Sequence, residues 1–184
     1  MDELTIEPML ELIRKRRTHR KFTDEGVSEE QVETLLEMAM VAPNRLNRQP
    51  WRFLVIRDRE LKQRLADLLR LHPYLETAPV VIAVCAVQES SPTWIMDISV
   101  ATENMLLAAT AMGLGGALVG APDSALWDMC EEMLHDAANI PMNVRIPLLV
   151  ALGHPAEELP AHGKHDRFDS TKVHYEKWEN LKLG

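Results

Sequence analysis

The stretch Pro79 to Val87 (PVVIAVCAV) constrains the fold of this chain more than any other, because it is a continuous, uncharged run rich in β-branched side chains. Such a run reads as a strand buried on both faces. Ile146 to Leu152 (IPLLVAL) reads as a second buried strand, and Trp51 to Arg57 (WRFLVIR) and Gly116 to Gly120 as two more. A sheet with doubly buried strands needs apolar cover above and below, and helical spacing in the intervening segments supplies it. The first helix spans Ile6 to Arg16, with Met9, Leu10, Leu12 and Ile13 as its apolar stripe. The second opens at a capping box, Ser28 to Gln31, continues through Val32, Leu35, Leu36 and Ala39, and is stopped by Pro43. Asp58 caps a helix through Leu69, Thr93 to Met112 is a long helix ended by Gly113, and Ser124 to His135 is another. A last helix is expected over Thr171 to Leu181. The order is helix, helix, strand, then alternating helix and strand. It describes an α/β or α+β sheet sandwiched by helices, in a single domain over residues 1–184.

Charge narrows the function classes. The net charge of −8 disfavours nucleic acid or an anionic membrane as a partner of the whole molecule. Met105 to Pro122 carries no charge, but four glycines interrupt it, so it reads as buried helix, turn and strand rather than a membrane span. Cys85 and Cys130 form neither a C-x-x-C pair nor a zinc spacing, and two buried thiols suit a reducing, cytoplasmic setting. The N-terminus lacks the apolar stretch of a signal peptide.

Three features carry chemistry. Arg14 to Lys21 reads Arg-Lys-Arg-Arg-Thr-His-Arg-Lys, a basic run in an acidic protein. It admits a solvated helix end that complements the dipole, a nucleic-acid patch, or a phosphate clamp of guanidinium forks and a hydroxyl. Ala42 to Trp51 (APNRLNRQPW) is an irregular loop whose Asn47 and Gln49 amides can meet a planar heterocycle or can satisfy the loop's own backbone. Gly113 to Gly120 (GLGGALVG) follows a helix and precedes a strand, the reverse of a dinucleotide-binding glycine loop. Its glycines instead permit close backbone approach.

Together with DISVATENMLLAATAMGLGGALVG (Asp97 to Gly120), IPLLVALGHP (Ile146 to Pro155) and a basic tail with Lys164, His165 and Arg167, these stretches resemble the nitroreductase family of FMN-dependent oxidoreductases. The resemblance implies an α+β fold with a central, mostly antiparallel sheet flanked by helices. It also implies an interlocked homodimer with FMN at the subunit interface. By position, Arg16, Arg17, Thr18 and Arg20 would contact the FMN phosphate, ribityl chain and pyrimidine edge, and Arg167 would reach the phosphate from the tail, with Lys164 or His165 assisting. Pro43, Asn44, Arg45, Asn47 and Gln49 match a loop that comes from the partner subunit, and Val119 and Gly120 match the segment beside the flavin ring. NAD(P)H would reduce the flavin and give way to an acceptor such as a nitroaromatic or quinone in a ping-pong cycle. Arg20 would favour the reduced flavin electrostatically, with no Ser, Cys or His acting as a catalytic group. A non-catalytic flavin-binding or sensory module, an ene-reductase and a dehalogenase are alternatives on the same scaffold. The chain departs from the family pattern at Asn44 and Arg45, where small hydroxyl residues are frequent, at Thr18 in place of serine, and at Glu103 in place of glutamine.

Other groups read as structural. His162 and His165 with Asp166 lack a second ligand pair for a metal. The adjacent pairs Glu131-Glu132 and Glu157-Glu158 read as solvated, Trp94 as core, and Met105, Met112, Met129 and Met133 as core or dimer packing.

Overall fold

A computed structural model describes residues 3–122, 124–163 and 166–178. The expected alternation forms as α1 (Glu3–Lys15), α2 (Glu29–Met40), β1 (Trp51–Ile56), α3 (Arg59–Leu68), α4 (Tyr74–Thr77), β2 (Val80–Val87), α5 (Trp94–Ala111), β3 (Gly115–Val119), α6 (Ala125–Ala138) and β4 (Val144–Gly153). The short α4 is an addition to the sequence reading. The Ser28–Gln31 capping box is present in full, and the Asp58 carboxylate accepts from the Leu61 amide at 2.8 Å to start α3. Gly113 closes α5 in the left-handed region at φ 75°.

The strands form one antiparallel sheet in the order β1-β2-β4-β3. The alternation along β2 shows why its sequence is apolar throughout. Val80, Ile82, Val84 and Ala86 pack toward α2 and α5, whereas Val81, Ala83 and Cys85 pack with residues of α3, α4 and α6. Fully burying an aliphatic side chain contributes about 1.5–3 kcal/mol, so two apolar layers against one sheet dominate the stability of the domain. The uncharged segment 105–122 is the end of α5, a turn and β3. Among the described residues no helix is long and apolar enough to cross a membrane.

β4 is a central strand that contains a proline, and the sheet gives way there. Val84 pairs with Leu148 but Ala86 pairs with Arg145, so β4 carries an extra residue in a bulge around Ile146 and Pro147. α6 secures this irregularity. The Glu131 carboxylate accepts from the Ile146 amide and from the Arg145 guanidinium (2.9 Å), and the Trp127 indole donates to the Ile146 carbonyl at 2.8 Å. Glu131 is thus buried, which corrects its reading as a solvated residue. The helix expected over Thr171 to Leu181 is also corrected: residues 170–172 form a single 3-10 turn and no helix follows through 178. Residues 179–181 lie outside the described residues.

Candidate functional site

Residues 16–23 form a strap along the open edge of the sheet. β3 is the edge strand, so its outer backbone groups need partners. Thr18 pairs with Gly116 in a parallel bridge, and the His19 amide donates to the Gly116 carbonyl at 3.1 Å. Farther along, the Thr23 amide donates to the His154 carbonyl at 2.9 Å, and the Ala156 amide donates to Lys21 at 3.0 Å. Gly115 makes the contact possible, since a Cβ there would lie 2.7 Å from the Cβ of His19.

The strap's side chains reach both helical layers. Arg16 Nε lies 3.7 Å from a carboxylate oxygen of Glu103 on α5. Arg20 lies over the Tyr74 ring of α4, 6.0 Å from its centroid, on the opposite face of the sheet. Arg17 donates to the carbonyl of Pro160. The tail then folds back, with the His162 amide donating to the Arg14 carbonyl at 3.0 Å. Burial holds the His162 imidazole below its ordinary value, and the charges of Arg167, Arg17 and Arg16 lower it further against an opposing effect of Asp166. Positive charge from the strap and from the tail thus reaches the same imidazole. Lys164 and His165 lie outside the described residues. Arg14 pairs with Glu7 at 3.1 Å and Lys21 with Glu157 at 3.0 Å, so these two cations are already matched.

A cavity of about 470 Å³ opens on the α3 and α6 side of the sheet. Val119 and Gly120 line it together with Leu71, His72 and Trp127, and its size suits a small-molecule group. The β4 bulge shapes its lip: a Cβ at Gly120 would come within 2.9 Å of the Pro147 carbonyl oxygen, so the chain needs glycine where β3 leaves the sheet. His72 connects cavity and strap through Tyr74, over whose ring Arg20 lies; burial lowers the His72 pKa and the charge of Arg20 lowers it further. The Tyr74 hydroxyl, 2.9 Å from His72 Nδ1, is pushed up by burial and pulled back by its hydrogen bond and proximity to Arg20. On the strap itself, burial is the largest effect keeping His19 below its ordinary value, and its buried Nδ1 has no hydrogen-bond partner. The strap therefore carries a hydroxyl at Thr18 and guanidinium forks at Arg16 and Arg20, groups whose chemistry fits a phosphate-bearing cofactor.

The loop of Pro43, Asn44, Arg45, Asn47 and Gln49 stands elsewhere. It precedes Trp51, which pairs with Ala86 at the far end of β2, whereas the strap's partner β3 begins at Gly115 opposite Gly153, beside the start of β2. The eight residues of β2 span about 26 Å, and strap and loop lie at opposite edges of the sheet as well. One chain does not bring the two halves together. Within the loop, the Gln49 amide donates to Asn44 Oδ1 and its side chain donates to Asn47 Oδ1, both at 2.9 Å. Leu46, Asn47 and Gln49 all have positive φ, at 50°, 53° and 46°.

Three contributors carried no assigned role in the sequence. Leu71 and His72 follow α3 without a motif. Asp97, inside a recognisable stretch, is buried and bonded to the loop. Cys85 and Cys130 are free and buried, each pushed up to about 12 by burial and then by the Glu131 carboxylate, which makes them inert. Among the described residues no group of three or more His, Cys, Asp or Glu is placed to hold a metal ion.

A layered α+β domain with a basic strap on its sheet edge and a glycine-lipped cavity on one sheet face is the class that fold and site define. The nitroreductase family profile matches residues 13–73 and 69–154. A protein of Archaeoglobus fulgidus with the provisional name NADH dehydrogenase/NAD(P)H nitroreductase is 36% identical over 179 residues, covering 94% of this chain and 100% of its own. A Desulfovibrio desulfuricans protein solved in complex with FMN is 34% identical with a TM-score of 0.74, covering 85% of this chain and 91% of its own. An FMN-dependent nitroreductase from Clostridium difficile R20291 superposes with a TM-score of 0.84 at 26% identity, covering 91% of this chain and 99% of its own. The chain belongs to the nitroreductase family.

Proposed function

We propose that the protein is an FMN-dependent oxidoreductase that takes reducing equivalents from NAD(P)H and passes them to a small acceptor such as a nitroaromatic or a quinone. The docking of the tail on the basic strap is the observation that carries this reading: Arg17 donates to the Pro160 carbonyl and the His162 amide donates to the Arg14 carbonyl, which brings the segment leading to Arg167 against the run from Arg14 to Lys21. FMN, when bound, supplies the hydride chemistry, with donor and acceptor using it in turn.

The chain's own residues bind and bias. Arg16, Arg17, Thr18 and Arg167 hold the phosphate and ribityl end. Arg20, which reaches from the strap over Tyr74, places a fixed positive charge at the pyrimidine edge, where it favours added negative charge. Val119 and Gly120 bring backbone close to the ring. Pro43, Asn44, Arg45, Asn47 and Gln49 complete the site of a second copy, so the working unit is a homodimer. An exposed apolar surface supports the dimer: Met9, Ile13, Met40, Val41, Met96 and Val100 on or beside α1, α2 and α5 are all solvent-facing in one chain.

The test is the visible spectrum of the purified protein. A flavin spectrum that bleaches with NADH or NADPH and returns with a nitroaromatic or quinone is expected. Colour that does not respond to either nucleotide would favour a flavin-binding module, and a protein that takes up no FMN would overturn the reading.

A further inference from the structure

The loop that presents Asn47 and Gln49 is strained and buries almost nothing. Residues 45–49 are all exposed, Leu46 at 77%, and beside Asn47 both Leu46 and Gln49 sit in the left-handed region that side chains other than glycine or asparagine avoid. Each such residue costs of order 1–3 kcal/mol and persists only when its surroundings impose it.

The loop is tied at Arg45 to a buried carboxylate. Asp97, in the first turn of α5, is 5% exposed. Its Oδ1 accepts from the Arg45 amide at 3.3 Å, and its Oδ2 accepts from Ser91 Oγ at 2.7 Å, while Thr93 Oγ1 lies 3.3 Å from both oxygens. Ser91 is itself buried, and Arg48 donates to the Ser90 carbonyl at 3.1 Å. The helix start, the 88–93 turn and the 44–49 loop thus meet at one side chain. We infer that Asp97 is a positioning residue that holds the 44–49 loop in its presenting conformation, so that flavin affinity depends on a carboxylate that touches no flavin. This rests on the reading above that the loop completes a partner's FMN site.

The backbone allows a test that leaves Asp97 in place. Asn44 is extended, with φ −150° and ψ 160°, and Arg45 opens a 3-10 turn, so proline at position 45 fits both sterically. Arg45→Pro deletes the amide that Asp97 binds, whereas Arg45→Ala deletes only the guanidinium. FMN affinity of the full-length protein, read by quenching of flavin fluorescence, should be weaker in Arg45→Pro than in Arg45→Ala by roughly tenfold to a hundredfold. Asp97→Ala should lose a similar factor and Asp97→Asn, which keeps an acceptor oxygen, should recover most of it. Combining Asp97→Ala with Arg45→Pro should add little. In the flavin-free protein, hydrogen exchange at the Arg45 amide should accelerate at least tenfold in Asp97→Ala. Equal FMN affinity in Arg45→Pro and Arg45→Ala would overturn the inference. So would Asp97→Ala that melts earlier yet binds FMN as the parent does. A parent protein that binds no FMN would overturn the functional reading instead. The exchange rate at Arg45 would then decide by itself whether Asp97 holds the loop.

Discussion

Residues 16–23 and residues 44–49 are both irregular connections carrying arginines and short polar side chains, yet they are held in opposite ways. The strap is held by its backbone. It pairs with Gly116 and Pro155, exchanges amide bonds with the segment after β4, and presses His19 against Gly115. The loop has no sheet to join. It carries three residues in the left-handed region, exposes every side chain from 45 to 49, and is tied down by its own Asn44–Gln49 bond, by Arg48 on the Ser90 carbonyl and by the buried carboxylate of Asp97. A segment that joins its own sheet contributes to its own subunit's stability. A strained, exposed segment contributes little there, which agrees with the proposed role of this loop in a second copy's site.

The comparison can be broken most forcefully at the strap's charges. Arg16→Ala with Arg20→Ala removes two guanidinium groups from the proposed phosphate and pyrimidine contacts. FMN should bind at least roughly a hundredfold more weakly, while circular dichroism and sedimentation show an intact dimer. Unchanged flavin occupancy would remove the strap from the site. Next comes its seat. Gly115→Ala places a methyl group 2.7 Å from the stem of His19, so the strap must shift, lowering stability by about 1–3 kcal/mol and flavin affinity with it. A thermal melt and an FMN titration measure both, and a loss of stability with full affinity would separate the strap's position from binding. The loop should respond in the other direction. Leu46→Gly relieves a left-handed leucine, and the melting temperature of the flavin-free protein should rise by about 2–4 °C. A fall would mean that the exposed leucine packs on the second copy. The smallest effect concerns Glu103, whose carboxylate stands beside Arg16. Glu103→Gln should tighten FMN a few-fold, as expected for a half-exposed pair worth about 0.2–1 kcal/mol, and the gain should vanish at high salt.

Much of this was legible in the sequence, and the gaps have physical causes. Strands and helices announced themselves because Pro79 to Val87 and Ile146 to Leu152 leave no polar face and the helices show a 3.6-residue stripe or a cap. The bulge at Pro147 did not, since a register shift exists only between two strands. Glu131 looked solvated beside Glu132 because its partners, Arg145 and the Ile146 amide, lie on a strand remote from α6 in the chain. The expected helix after Thr171 has apolar residues at plausible spacing, but among the described ones Tyr175 and Trp178 are exposed rather than buried. Trp178 stays 80% exposed, stacked on His174 at 4.3 Å, and a short helix without a packing face does not form in water. At the site, residue types pointed to the strap, while Leu71 and His72 joined the cavity only through the path of the chain after α3.

In the proposed dimer each flavin site takes its strap from one chain and its loop from the other. A differently tagged heterodimer tests it most directly, pairing a chain carrying Arg16→Ala and Arg20→Ala with a chain carrying Asn47→Ala and Gln49→Ala. Each homodimer should fail to retain FMN. In the heterodimer both lesions fall on one site and the other site is untouched, so about half of the parental flavin content and half of its reductase activity should return. If strap and loop instead served the same chain, every site in the heterodimer would carry a lesion, and no flavin would return.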